Sequence, residues 1–231
     1  MIMIKELHIY HGSSEIISKP VYGAGRKNND YGKGFYCTES EELAKEWACS
    51  PFNDGFANHY TLDTSLLNIL YLNAEEYSIM NWMAVLVEHR LFTLGTPLAG
   101  RAKKYLIEHF GVNVNAYDVI RGYRADDAYY EFAEAFLNNA ITVEQLSRAM
   151  RLGNLGEQIV LKSKLAFDSL TYIGFSAANH NKYYPSRKAR ADEAELNFQN
   201  ICEETGDGLY MIDIIRKGVS NDDARIPRSI P

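Results

Sequence analysis

Leu7-His8-Ile9-Tyr10-His11-Gly12-Ser13-Ser14, taken with Tyr31-Gly32-Lys33-Gly34-Phe35-Tyr36-Cys37-Thr38, decides how this chain is read. Each is a short apolar run with polar residues where a strand hands over to a turn. The first alternates Leu7, Ile9 and His11 against His8, Tyr10 and Gly12, so His11 projects from one face while Gly12 lets a ligand approach the backbone. The second sets two glycines before Phe35-Tyr36, and one of that aromatic pair should point into the cleft that His11 lines.

Outward from these stretches, residues 4–10 read as a strand and 18–33 as a Gly-, Asn- and Pro-bearing loop of functional length. Thr38-Glu39-Ser40-Glu41 has capping-box spacing ahead of Leu43, Ala44, Trp47 and Ala48 at helical intervals, so a helix should start beneath Tyr36. Two strands follow, His59–Asp63 and Asn68–Leu72. Asn73-Ala74-Glu75-Glu76 reads as a second capping box, opening a helix that buries Ile79, Trp82, Met83 and Leu86. Thr96-Pro97 starts another helix, which Gly111 ends. The stretch from about 73 to 111 is thus a helical insertion between sheet elements.

Tyr117–Gly122 reads as a strand leading into Arg124-Ala125-Asp126-Asp127, followed by a helix over 128–138 and a short one capped by Thr142-Val143-Glu144-Gln145. Glu157–Ser163, Leu170–Phe175 and Leu209–Ile215 read as strands, with a basic, tyrosine-bearing loop over 180–187 and a helix over 188–203. The strands do not alternate regularly with helices, which predicts an α+β fold with mainly antiparallel sheets. One domain is expected over 1–216, with a loosely held polar tail over 217–231.

Composition bounds the function. The 231 residues, 46% hydrophobic and 23% charged, can bury a full core. A net charge of -6 argues against coating nucleic acid by general electrostatics. Cys37, Cys49 and Cys202 lack zinc-site spacing and fit a reducing compartment, and no metal is expected. The N-terminus turns charged too early for a signal peptide, and the apolar run from Met80 to Leu94 is broken by Glu88, His89 and Arg90. A cytoplasmic protein without a membrane partner is expected, or one exported by a route that leaves no N-terminal mark. There is no glycine-rich dinucleotide fingerprint and no P-loop.

Tyr10-His11-Gly12-Ser13 followed by Gly34-Phe35-Tyr36-Cys37-Thr38 resembles the first two motifs of the ADP-ribosyltransferase superfamily, in its His–Tyr branch. It is similar more closely to a bacterial domain family of unknown function placed in that superfamily, whose members look like toxins of toxin–antitoxin pairs. The third motif would lie at Glu157-Gln158-Ile159-Val160, and the resemblance runs over roughly residues 7–175. It implies split antiparallel β-sheets around an NAD-binding cleft. It further implies transfer of ADP-ribose from NAD to a macromolecular acceptor inside a bacterial cell, and a small cognate antitoxin as partner.

The resemblance also assigns roles. His11 would donate a hydrogen bond to the adenosine ribose, the Gly12 backbone would pair with the nicotinamide carboxamide, and Ser13 would add a hydroxyl contact. Tyr36 would stack on the nicotinamide ring. Nicotinamide leaves as a neutral molecule, so the protein must chiefly stabilise an oxocarbenium-like ribose. Gln158 stands where the best-known transferases have glutamate; an amide orients a ribose hydroxyl but takes no proton from an acceptor. A register one residue off would put Glu157 there instead. Asp126 is equally readable as a general base or a helix cap. Arg26 could neutralise the NAD pyrophosphate and Asp30 fix the loop or a ribose hydroxyl. The basic cluster Lys182, Tyr183, Tyr184, Arg187, Lys188 and Arg190 reads more readily as a solvated loop and helix start than as a nucleic-acid contact. Two other functions fit the same motifs: an NAD glycohydrolase, and a non-catalytic module that binds NAD or ADP-ribose.

Overall fold

A computed structural model describes residues 6–124, 127–152, 156–205 and 207–228. The chain is α+β, and its strands fall into two sheets. β1 (Glu6–Ser13), β3 (Gly55–Asp63) and β7 (Leu170–Ala178) form an antiparallel sheet in the order β1-β3-β7. β2 (Phe35–Cys37), β6 (Glu157–Leu161), β5 (Val119–Tyr123) and β4 (Ile69–Tyr71) form the second, in the order β2-β6-β5-β4, with β4 parallel to β5. Ile9, Tyr60 and Leu62 of the first sheet pack against Cys37, Val119, Ile159 and Leu161 of the second. Tyr10 and Thr38 join the sheets through two backbone hydrogen bonds of 2.7 and 3.0 Å.

α1 (Glu41–Ala48) starts at Ser40, whose hydroxyl accepts from the Leu43 N–H, and not at Thr38. Thr38 has both backbone groups in the bridge to Tyr10, so the chain is still extended there. The insertion between β4 and β5 holds α2 (Ile79–His89) and α3 (Pro97–Phe110), with Thr96 capping α3 and Gly111 ending it as expected. α2 begins five residues later than the Asn73 box implies, capped by Ser78 and Asn81. Asn73 is committed elsewhere, donating to Glu157 at 2.5 Å. Ile79 to Val87 are all buried, not a single stripe, which makes α2 the centre of the larger core.

α4 (Asp127–Leu137) and α5 (Val143–Ala149) lie where helices are expected, and Thr142 and Gln145 complete the capping box of α5; α6 (Lys164–Asp168), capped by Ser163, is a short helix between β6 and β7 that the sequence reading lacks. Three expectations fail in the C-terminal third. Residues 209–215 are not a strand: α8 (Met211–Lys217) occupies them, burying Met211 and Ile214 while Asp213 closes a capping box with Tyr210. Alternation would have placed Asp213 on the same face as Met211, so the helical spacing wins.

The segment 180–187 is not a loop either. α7 runs from His180 to Glu203, seeded by Asp54, which accepts from the His180 backbone at 2.8 Å and its ring at 2.7 Å. Its basic residues largely find acids: Lys182 lies 3.6 Å from Glu42, Lys188 2.7 Å from Asp192, and Arg190 pairs with Glu46. The described part of the tail is held rather than loose. Val219 and Ile226 are buried, the Ser78 hydroxyl donates to Asn221 at 2.7 Å, and Arg228 bridges Ser78.

Candidate active site

Beyond the Tyr10–Thr38 bridge the two sheets part, and the His11 ring wedges the gap. Its Nδ1 lies 2.7 Å from the Tyr36 carbonyl oxygen, and the ring stacks on Phe35 with centroids 4.3 Å apart. A carbonyl only accepts, so Nδ1 carries the proton. Burial lowers the His11 pKa, with the Tyr36 carbonyl opposing weakly, so the ring is neutral and Nε2 offers a lone pair. Nε2 is therefore an acceptor, where the resemblance implies a donor.

Gly12 follows on the same strand. Tyr10 spends its N–H and C=O on Thr38, and alternation along a strand turns those of Gly12 the same way, away from β3 and toward the gap. The absence of a side chain has a second cause. A Cβ on Gly12 would lie 2.1 Å from the Ala44 carbonyl oxygen and 3.0 Å from the Ala48 nitrogen, so glycine lets α1 rest on β1. Ser13 does not line the gap. Its hydroxyl donates to the Glu15 carbonyl and accepts from the Glu15 N–H at 3.2 Å and the Asn58 amide at 3.4 Å, closing a turn outside the cleft wall.

The gap opens into a cavity of about 740 Å³, within the range of small-molecule sites, lined by His11, Gly12, Arg26, Asp30, Tyr36 and Gln158 among others. Four separate segments contribute those six residues: β1, the 18–33 loop, β2 and β6. The Tyr36 hydroxyl donates to the Gly32 carbonyl at 2.5 Å and accepts from the Tyr31 N–H at 3.1 Å, which ties the end of the 18–33 loop to the ring. Burial, and then the nearby Asp30 charge, push the phenol pKa far up, so it stays a donor. Asp30 is 3% exposed and accepts from Arg90 Nε at 2.7 Å.

Glu157 and Gln158 of β6 face opposite ways. Gln158 pairs with Gly122 of β5, is 6% exposed and lines the cavity; its Oε1 is buried with no hydrogen-bond partner among the described residues. Leaving such an acceptor unmade costs about 1–3 kcal/mol, which a ligand hydroxyl would recover. Glu157 points to the opposite face, where Arg121 donates to it at 2.9 and 2.5 Å and Asn73 at 2.5 Å. Glu157→Gln is expected to lower stability by about 1–3 kcal/mol by removing the charge of one of the two carboxylates that hold Arg121, Glu39 remaining at 2.5 Å, with turnover kept. Urea unfolding and an activity assay together check this; lost turnover at full stability would return Glu157 to the third-motif role. Asp126 lies outside the described residues, and no cluster of three metal-ligating side chains occurs among them.

Among the wall residues that sequence reasoning missed are Trp47 of α1, Arg90 after α2, Arg124 after β5 and Arg187 of α7. The Arg124 guanidinium lies 3.4 Å from the Trp47 ring centroid, and Trp47 Nε1 is buried without a partner among the described residues. Arg187 had been read as part of a solvated cluster, and Arg90 only as a break in an apolar run.

Residues 7–172 match a protein family described as a protein of unknown function (DUF3990). The chain belongs to this family. The DUF3990 segment takes in both sheets as far as β7, and with them His11, Tyr36 and Gln158; α7 and Arg187 lie beyond it. No curated protein and no solved structure matches the chain. Among the described residues of this DUF3990 member no helix is long and apolar enough to cross a membrane.

Proposed function

We propose that the chain is an NAD-dependent ADP-ribosyltransferase acting on a macromolecule, with an ADP-ribosyltransferase-like pair of split sheets. The observation that carries this reading is the parting of the sheets at the Tyr10–Thr38 bridge. There a neutral histidine, an outward-facing glycine backbone, an aromatic ring and an unsatisfied amide converge on one cavity. Gly12 offers one N–H and one C=O side by side, which is the complement of a carboxamide. Tyr36 supplies a flat face for a cationic ring, His11 Nε2 accepts from a ribose hydroxyl, and the Gln158 amide meets another. Arg26 and Arg90 stand ready for a pyrophosphate, with Asp30 fixing the guanidinium of Arg90.

These residues suit a reaction in which the bond from ribose C1′ to the nicotinamide nitrogen breaks and its electron pair leaves with the ring. No strong acid is needed, because nicotinamide departs neutral. The chain's part is to orient the ribose, exclude water and hold hydroxyls at Gln158 and His11 while positive charge develops on the sugar.

A second reading, NAD glycohydrolase, is favoured by one observation: Gln158, not a carboxylate, faces the cavity. Water would then take the place of the acceptor. Nicotinamide release from NAD, with and without a cell extract, separates the two readings. His11→Ala is expected to cut release in either case by about tenfold or more, for one lost hydrogen bond in a dry site, and unchanged release would overturn both.

The pH profile offers a further check. Protonating Nε2 removes the acceptor, so release should hold through neutral pH and fall only below the ordinary histidine range. Stability follows the same sense. With a native pKa below the unfolded value of about 6.5, the unfolded chain binds protons first, and stability drops as pH falls below that value.

A further inference from the structure

The 18–33 loop has a second side. At its start the Ile17 N–H donates to Asn58 Oδ1 at 2.8 Å, and the Tyr60 hydroxyl donates to the Ile17 carbonyl. At its end Asp30 is held by Arg90, the Tyr31 hydroxyl donates to the Tyr123 carbonyl at 2.6 Å, and the Gly32 carbonyl accepts from Tyr36. Between these anchors the loop divides two cavities. Pro20 and Val21, with Phe167 of α6, line the cleft on one side and, on the other, a groove of about 540 Å³ between the loop, α6 and β7. That volume lies within the range of small-molecule sites.

The groove has aromatic walls and a basic rim. Tyr22, 55% exposed, meets Phe167 nearly at right angles with ring centroids 5.5 Å apart, and Tyr172 of β7 lines the same space. Lys19 also lines it, and Lys33 reaches to within 3.6 Å of the position a Cβ on Gly23 would take, one residue after Tyr22. Both lysines are exposed, and neither is paired with an acid among the described residues. Asp168, the carboxylate among the described lining residues, is met by Lys164 at 2.5 Å. Residues 16–38 carry Lys19, Arg26, Lys27 and Lys33 against Asp30 alone, and Arg90 already meets Asp30. A chain of net charge -6 therefore turns a positive strip outward beside an aromatic groove.

We propose that this groove binds single-stranded nucleic acid, with a base stacked on Tyr22 and the flanking phosphates drawn to Lys19 and Lys33. Cations without acids on an acidic protein suit a polyanion. An acidic peptide or an anionic lipid headgroup brings the charge but no flat ring to lie on an aromatic wall, whereas every nucleobase has one. A duplex keeps its bases stacked on one another, so a single strand is the form that gives one up to Tyr22. The net charge of -6 weighs against coating nucleic acid, not against holding a few phosphates at one place. Binding here asks nothing of the chemistry in the cleft, so it stands or falls apart from the transferase reading.

The test is fluorescence anisotropy with the full chain, without NAD, against short labelled RNA and DNA single strands of mixed sequence and the matching DNA duplex. Single strands should bind more tightly than the duplex, and the ratio of RNA to DNA names the sugar preferred. Two phosphate contacts predict a slope of log affinity on log salt of about -1.4, at about 0.7 per contact. Tyr22→Ala is expected to weaken binding about tenfold or more, the loss of one stacked base, with Tyr22→Phe keeping most of it. Lys19→Gln should flatten the salt slope by about 0.7, while Lys104→Gln on α3, outside the groove, should change nothing. Tyr22→Ala and Lys19→Gln should leave nicotinamide release from NAD unchanged, since neither residue lines the cleft. No binding at low salt overturns the proposal, as does a duplex bound as tightly as a single strand, or a Tyr22→Ala chain that binds as well as the unaltered one. A raised KM for NAD in Tyr22→Ala with oligonucleotide affinity intact gives the groove to NAD and overturns it too. Nicotinamide release absent from the unaltered chain would overturn the transferase reading and leave the oligonucleotide result standing.

Discussion

Gly12→Ala is expected to destabilise the chain by about 3 kcal/mol or more, the upper range for a forced contact in a packed interior, read as a lower urea midpoint. The atoms that a new Cβ would meet are the Ala44 carbonyl oxygen at 2.1 Å and the Ala48 nitrogen at 3.0 Å. Both are backbone, so no rotamer change relieves them and α1 must move as a body. α1 is not free to do so. Ala44 is fully buried, and Ala48 and Cys49 sit in a cluster with Ala178 and Tyr183 that joins α1 to β7 and α7.

Gly174→Ala makes the control. It lies on edge strand β7 with nothing within 4 Å of its Cβ position, so the same change should be near neutral. A Gly12→Ala protein with an unchanged midpoint but lost NAD binding would mean that the glycine is there for the ligand alone. A protein that loses both says that the helix contact and the open backbone edge are one arrangement, since α1 also carries Trp47 to the cleft wall.

What was legible in the sequence was whatever is encoded locally. His11, Gly12 and Tyr36 stood out because each lies in a contiguous strand-to-turn signature, and alternation along β6 correctly put Glu157 and Gln158 on opposite faces. Asp30 and Arg26 were legible as charges in a loop too long to be filler. The rest of the cavity depends on distant pairing. Arg90 reaches it because an insertion folds back to Asp30, 60 residues away in the chain. Arg187 reaches it because α7 finds acidic partners on α1.

Local signals also misled where a side chain had a stronger remote use. Asn73 looked like a cap and instead bonds Glu157 across the second sheet. Ser13, expected beside the ligand, does not line the cavity; its hydroxyl bonds Glu15 in a turn and accepts from Asn58, 45 residues on. In both cases a short polar side chain reads the same in sequence whether its partner is three residues away or eighty.

Tyr36 is the residue at which platform and anchor can be told apart, because the ring and the hydroxyl have separate tasks. Tyr36→Phe keeps the ring in the cavity wall and removes a hydroxyl that bonds Gly32 at 2.5 Å and Tyr31 at 3.1 Å. The Gly32 turn has φ +73, and its shape leans on His89, which a Cβ there would meet at 2.3 Å. Unpairing its carbonyl should cost about 1–3 kcal/mol of stability and loosen the approach of Asp30 and Arg90. Turnover should fall only modestly, through the KM for NAD.

Tyr36→Ala removes the ring as well. Loss of an aromatic face under a flat ligand, about 1–3 kcal/mol, together with the loosened loop, predicts a fall in kcat/KM for nicotinamide release of roughly a hundredfold. Both variants lose the hydroxyl's bonds, while Tyr36→Ala also loses the ring's packing against the larger core, so stacking is read from kcat/KM of the folded fraction at a temperature where both variants are folded. If Tyr36→Phe and Tyr36→Ala prove equally inactive, the phenol and not the ring is what the reaction needs. Tyr36 would then be an anchor for the 18–33 loop, and the cationic ring would have to find its platform elsewhere in the cleft, where Trp47 is already covered on one face by Arg124.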